Sequence, residues 1–265
     1  MTDPTYIDIS KPHRARMYDW FLGGRNNYQA DEEMGRRLVA MDGRGRTTAL
    51  ANWAFMRRAT RWLAARGVRQ FLDIGTGIPT EPNLHQIAQD VAPDARIVYC
   101  DNDPVVLAHS QALLTSTPQG VTEYIRADLR EPERILDEAA RVLDLDRPVA
   151  LSLVALLHFF AAEDGVYDLV DRLMRALPSG SHLVLSHGTS DFSPATTKQS
   201  TELYKARGMT LALRTREEVE RFFEGYELVD PGVENVDRWK PEPGEWRPAP
   251  EEGPTPGYGG VARKP

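Results

Sequence analysis

Phe71-Leu72-Asp73-Ile74-Gly75-Thr76-Gly77-Ile78-Pro79-Thr80 is the stretch on which the fold turns. An apolar run ending in an acid, two glycines one residue apart and a Pro-Thr pair able to open a helix read as a strand feeding a tight ligand-binding turn. Gly75 and Gly77 can take positive φ and let a bound molecule approach the backbone with no Cβ in the way. The third glycine of the dinucleotide fingerprint is missing, because Pro79 and Thr80 stand in that region.

Downstream of this turn, strand-like and helix-like stretches alternate. Gln70–Ile74 leads to a helix near Thr80–Val91, Arg96–Cys100 to one near Val105–Leu114, and Val121–Ala127 to one near Pro132–Val142. Val149–Leu157 leads to one near Glu163–Ala176, and Ser181–Ser186 to one inside Thr196–Ala206. Repeats of this length require right-handed crossovers and a parallel sheet covered on both faces, a doubly wound, Rossmann-like α/β fold. A helix near Thr215–Glu224 precedes Glu227–Val229, the turn Asp230-Pro231-Gly232 and Val233–Val236. Two strands so close pair antiparallel, which predicts a C-terminal hairpin on a mostly parallel seven-stranded sheet.

Upstream, residues 1–68 read as a helical cap. Ser10 can cap a helix carrying Met17, Trp20 and Phe21 until Gly23-Gly24 stops it; Tyr28 to Met41 and Thr47 to Ala65 follow. Residues 69–240 form the Rossmann-like domain. Residues 241–265, rich in Pro and Gly, predict an extended surface-hugging or disordered tail.

The 265 residues, 41% hydrophobic and 27% charged, suit one α/β domain with additions. No apolar run approaches the roughly 20 residues of a membrane span, and Met1-Thr2-Asp3-Pro4 lacks the layout of a secretory signal. The one cysteine, Cys100, precludes an internal disulfide and reads as a buried, inert thiol, so a cytoplasmic setting is expected. Net charge is −7, but residues 1–70 hold 13 Lys and Arg against 7 Asp and Glu. The basic part reads either as a surface recruiting an anionic substrate or as solvated helix faces.

Three carboxylates end successive strands: Asp73, Asp101 and Asp128. Ligands of open α/β sheets lie across the carboxyl ends of the strands, so the three are expected to converge with Gly75, Thr76, Gly77, Asn102 and Leu129 on one cofactor cleft. Asp101 is placed to accept from both hydroxyls of a ribose, Asp128 from an exocyclic amine, and Asp73 to balance a positive group. A pyrophosphate beside Asp73 would be repelled, which disfavours a nicotinamide-dependent oxidoreductase. A cationic, phosphate-free nucleoside such as S-adenosylmethionine suits the set better.

The Asp-Ile-Gly-Thr-Gly turn, the acids at Asp101 and Asp128 and the closing antiparallel strands resemble class I S-adenosylmethionine-dependent methyltransferases. More closely, Arg16–Gly24, Phe71–Thr80, Tyr99–Pro104, and Asp146–Phe160 with Val184–His187 resemble a bacterial family described as S-adenosyl methyltransferase, once classed as a domain of unknown function. The likeness reaches Tyr258-Gly259-Gly260. It implies the fold, the cofactor and methyl transfer, but no particular acceptor. In the resembled fold the end of the fourth strand borders the methyl position. His158, in Leu156-Leu157-His158-Phe159-Phe160, is therefore the candidate general base, with Phe159 and His187 as pocket residues.

Arg14, Tyr18, Gly23 and Gly24 are further candidate cofactor contacts. Arg14 or Arg25 could bind the methionyl carboxylate, while Asn27 is a candidate substrate contact. Trp20, Phe21, Trp53 and Trp62 are expected in the core, and His85 and His109 as packing or surface residues. No metal-ligand spacing and no nucleophile elbow is found. The expected activity is methylation, at O or N, of a small molecule; a non-catalytic cofactor sensor is the other reading. Nucleic acid is disfavoured by acidity and by the absence of Asn/Asp-Pro-Pro-Tyr/Phe after strand four. No membrane partner is expected, and a homodimer is left open.

Overall fold

The computed structural model describes residues 8–113 and 115–265; the expectation at Met1–Pro4 lies outside them. Nine helices of the described residues are α1 (Arg14–Phe21), α2 (Gln29–Met41), α3 (Gly45–Ala65), α4 (Leu84–Val91), α5 (Pro104–Leu113), α6 (Pro132–Ala139), α7 (Val166–Arg175), α8 (Pro194–Lys205) and α9 (Arg216–Glu220). The strands are β1 (Gln70–Ile74), β2 (Arg96–Asp101), β3 (Val121–Arg126), β4 (Ala150–Val154), β5 (His182–Gly188), β6 (Glu227–Leu228), β7 (Glu234–Asn235) and β8 (Gly257–Arg263).

One sheet takes all the strands in the order β3-β2-β1-β4-β5-β8-β6, parallel from β3 to β5, with β7 also on β8. The order reverses between β1 and β4, which opens a crevice above their carboxyl ends. Strand pleating sends alternate residues to opposite faces. Leu72, Val98, Leu151 and Leu185 join the core under α6 and α7, while Phe71, Ile97, Tyr99 and Val184 join the core under α3 and α4. Near-continuous apolar strands are what burial on both faces demands.

The C-terminal hairpin is corrected. β6 and β7 do not pair with each other; both pair antiparallel with β8, at Ala262–Arg263 and Tyr258–Gly259, while the other edge of β8 pairs with β5 along its whole length. The sheet has eight strands, and part of the expected tail is interior. Composition misled because the glycines of β8 are packing sites. A Cβ on Gly259 would stand 2.9 Å from the Phe55 ring of α3, and one on Gly260 would stand 3.1 Å from Phe223 on the other face.

α3 also holds the Pro-rich stretch before β8. Arg58 Nε donates to Trp239 O at 2.8 Å and its Nη1 pairs with Glu245 at 2.7 Å; Arg61 pairs with Glu242, and Arg44 donates to Pro254 O. Trp239 is fully buried between Phe55 and Trp62.

α1 and α2 close over the carboxyl ends of the strands and share a small core with Met17, Met34 and Tyr204. Asp31, fully buried, accepts from the backbone N–H of His13 and Tyr28 and pairs with Arg16 at 3.0 Å. A buried carboxylate needs such complete pairing, so this cluster fixes where α1 starts. No described helix is long and apolar enough to cross a membrane.

Candidate functional site

A cavity of about 360 Å³ opens above the ends of β1 to β4, floored by Gly75–Thr80 and roofed by α1 and the start of α3. Gly75 and Gly77 take φ of 77° and 68°. A Cβ on Gly75 would meet Leu156 Cδ1 at 2.6 Å, so only glycine fits that turn. The turn spends its own donors on β2: Gly75 and Thr76 N–H reach Cys100 O, and Gly77 N–H reaches Asp101 Oδ2 at 2.9 Å. The next helix starts only at Leu84, not near Thr80. With the Gly75, Thr76 and Gly77 amides spent on β2, the glycine turn itself does not cradle a pyrophosphate.

Asp73, Asp101 and Asp128 all line this cavity, with Thr76, Asn102 and Leu129. Burial pushes the Asp73 carboxyl up to about 6, although the Ser152 and Thr76 hydroxyls draw it down. Such a carboxyl gains from a cationic ligand beside it. Burial raises Asp101 as well, against the N–H groups of Asp103 and Gly77 that it accepts. An ionised carboxylate has about four lone-pair sites, so two remain for ligand hydroxyls. Asp128 accepts from Asn102 Nδ2 at 2.7 Å and from Arg130 N–H, which fixes it at the rim. His13 Nδ1 stands 2.8 Å from Asp103 Oδ2, but neither atom makes an aligned hydrogen bond. The contact ties the start of α1 to the β2–α5 turn.

A second cavity of about 230 Å³ lies beyond the first, between α1, α2, α8 and the ends of β4 and β5. Arg14, Tyr18, Asn52, Ala155 and Phe159 line both cavities and so form the seam between them. A hydrogen-bond chain holds the seam: Tyr18 Oη donates to Ala49 O, Asn52 Nδ2 to Tyr18 Oη at 2.7 Å, Ser186 Oγ to Asn52 Oδ1, and Ala155 N–H to Ser186 Oγ at 2.9 Å. Ala155 takes φ 55°, a conformation unusual for a residue with a Cβ. Burial, only partly offset by the bond from Asn52, pushes the Tyr18 phenol up to about 12, so it stays protonated. Arg14 lies over the Phe159 ring at 4.8 Å.

His158 and His187 line the second cavity only. His158, expected as the general base, stands in the second cavity beyond the seam. Burial, then the charges of Arg14 and Arg214, lower it to about 3, and its Nδ1 faces the Gly188 N–H at 3.4 Å. Accepting there places the ring proton on Nε2, so the ring donates rather than accepts. His187 has both ring nitrogens engaged, Nδ1 with Gly188 O and Nε2 with Arg214. Arg214 also donates to Leu157 O and Phe160 O, and so clamps the loop that carries His158 and Phe159.

Gly23, Gly24 and Asn27 line neither cavity, which corrects their assignment as ligand contacts. Asn27 Nδ2 and the Asn26 N–H donate to the buried Asp19, and a Cβ on Gly24 would strike that carboxylate at 2.1 Å. The loop is a support for Asp19. Arg25, too, is outside both linings. Conversely Trp53, expected in the core, lines the first cavity, as do His13 and Asn52. Asn52 carried a signal: it is a buried amide on the apolar face of α3. His13 and Arg214 carried none. Cys100 is a buried free thiol, pushed up by burial, and no metal-ligating group is found among the described residues.

The profile of a family described as S-adenosyl methyltransferase matches residues 1–265. A protein from Streptomyces avermitilis, of a family classed by domain of unknown function, is 48% identical, with 98% of this chain and 100% of that chain covered and a TM-score of 0.92. A Thermobifida fusca protein described as a methyltransferase is 38% identical over 97% and 96%, with a TM-score of 0.87. A Mesorhizobium loti S-adenosylmethionine-dependent methyltransferase, 19% identical over 79% and 100% with a TM-score of 0.51, shares the fold. No functionally curated protein matches.

Proposed function

Since the chain belongs to the S-adenosyl methyltransferase family, whose cofactor is S-adenosylmethionine, we propose that it methylates the oxygen or nitrogen of a small molecule held in the second cavity. The observation that carries this reading is the meeting of the two cavities at Arg14, Tyr18, Asn52, Ala155 and Phe159.

The first cavity fits the cofactor chemically. Its glycine turn takes the positive φ that brings the backbone to the cavity floor, and its acids match a cationic nucleoside without phosphates. In this reading Asp101 accepts from the ribose hydroxyls, Asp73 faces the ammonium, and Asp128 and the Leu129 backbone border the adenine. Bound there, the cofactor supplies a methyl group activated by a sulfonium. The chain's own residues hold, align and dry the site; alignment of this kind is worth up to roughly 7–11 kcal/mol of barrier. Trp53 and Phe160 wall the first cavity. The bonded chain from Tyr18 to Ala155 keeps the seam's geometry fixed.

Isothermal titration with S-adenosylhomocysteine tests the cleft, and wild-type protein that fails to bind it would sink the reading. Methyl-labelled cofactor, incubated with a bacterial metabolite extract, tests catalysis. One observation favours the alternative of a non-catalytic sensor: the titratable side chains of the seam are Arg14 and the Tyr18 phenol, which burial pushes up to about 12. Tight cofactor binding without any label transfer would establish that alternative.

A further inference from the structure

Arg14 is a partly buried cation with no hydrogen bond or ion pair among the described residues; its one close partner is the face of Phe159. Removing a guanidinium from water without a counter-charge is costly, and a bound anion repays it. Arg14 lines both cavities, as does the Phe159 ring it covers, so its charge stands at the seam.

The second cavity has two unlike walls. Met17, Phe21 and Leu38 make one apolar. On the other, α8 turns Thr196, Thr197 and Ser200 inward, where an interior helix face is ordinarily apolar. Among the described residues nothing bonds those three hydroxyls. Of the fixed charges lining this cavity, Asp42 is already paired with Arg44 at 2.7 Å, which leaves the single charge of Arg14. A lone guanidinium fork matches one carboxylate; a phosphate dianion would call for more.

We propose that the methyl acceptor is a small amphipathic carboxylic acid, held as its carboxylate by Arg14 at the seam, with its apolar face on Met17, Phe21 and Leu38 and its polar edge on α8. The proposal rests on the methyltransferase reading and narrows it. It also accounts for a seam without a base. A carboxylate is ionised at neutral pH, whereas an alcohol, phenol or ammonium must first lose a proton. One carboxylate oxygen contributes a lone pair to the new C–O bond as the C–S bond breaks, and that pair goes to the sulfur. The negative carboxylate and the positive sulfonium become a neutral methyl ester and a neutral thioether, with no proton taken up or released.

The test titrates the full-length protein, loaded with S-adenosylhomocysteine, with benzoate and with its neutral analogue benzamide. Benzoate is expected to bind at least tenfold tighter, Arg14→Gln to erase the difference, and S-adenosylhomocysteine affinity to change less than twofold in that variant. Equal binding, binding of neither, or a preference that survives Arg14→Gln overturns the proposal. A tenfold loss of S-adenosylhomocysteine affinity in Arg14→Gln also overturns it, because the arginine would then serve the cofactor's own carboxylate. Should the variant fail to fold, the wild-type comparison decides. Label moved into a metabolite extract should leave as methanol in mild alkali; alkali-stable label refutes ester formation. Failure of wild type to bind S-adenosylhomocysteine removes the methyltransferase reading itself, a result distinct from all of these.

Discussion

Asp101 combines a sequence position anyone could mark with an environment only the fold supplies. Its two oxygens take the N–H groups of Gly77 and Asp103, so it holds the glycine turn against β2 as well as facing the cavity. Asp101→Ala should weaken S-adenosylhomocysteine by about 1–3 kcal/mol, as charged hydrogen bonds are usually worth, and undiminished affinity by calorimetry would refute the ribose assignment. His158 makes a prediction of another kind. Its pKa near 3 in the folded protein lies below about 6.5 in the unfolded chain, so acid favours the unfolded state. Stability is lost as pH falls from about 6.5 toward 3. At pH 5 the loss from this ring is about 1–2 kcal/mol, allowing for its partial exposure. Denaturant melts of His158→Gln should show a correspondingly smaller drop between pH 7 and 5; an identical drop would mean the ring is not held neutral. The acids were legible because a charged residue ending an apolar strand stands out. The hydrogen-bonding state of His158 was not, since Gly188 and Arg214 reach it from distant parts of the chain.

Among the elements, β1 to β5 and their crossover helices were readable from period and spacing, because burial on both faces forces a near-continuous apolar run. β8 was not. Its Gly257-Tyr258-Gly259-Gly260 looks like linker until α3 presses Phe55 on one face and Phe223 crowds the other. Glycine here is a statement about neighbours. Gly259→Val should cost about 1–3 kcal/mol through overpacking against Phe55, and paired replacement with Phe55→Ala should recover part of it. Chemical denaturation of the two variants decides; a harmless Gly259→Val would mean that β8 sits less tightly than described. α1 lies between legible and hidden. Its helix follows from Met17 and Phe21, but its anchoring by Arg16 on Asp31, eighteen residues from His13, depends on α2.

Over the whole molecule, the uneven charge has a structural answer beside any role in recruitment. Arginines of the basic helix α3 grip glutamates of the acidic C-terminal region, Arg58 with Glu245 and Arg61 with Glu242. The cleft lies where the cap, α3 and the sheet meet, so a ligand there bridges parts that are remote in sequence. Binding of S-adenosylhomocysteine should slow amide exchange in α1 and the β2–α5 turn while leaving β6 unchanged, since only the former border the cavity. Protection spread evenly over the chain would contradict that localisation. The late arrival of β8 bears on the chain's birth. β5 offers its outer edge as soon as Gly188 is made, yet its partner begins at Gly257, so α8, α9, β6 and β7 must all be synthesised first. In that interval a buried-type strand edge stands open, and β6 and β7 have nothing to pair with. The nascent chain is therefore most exposed to misassembly between the synthesis of Gly188 and that of Gly257.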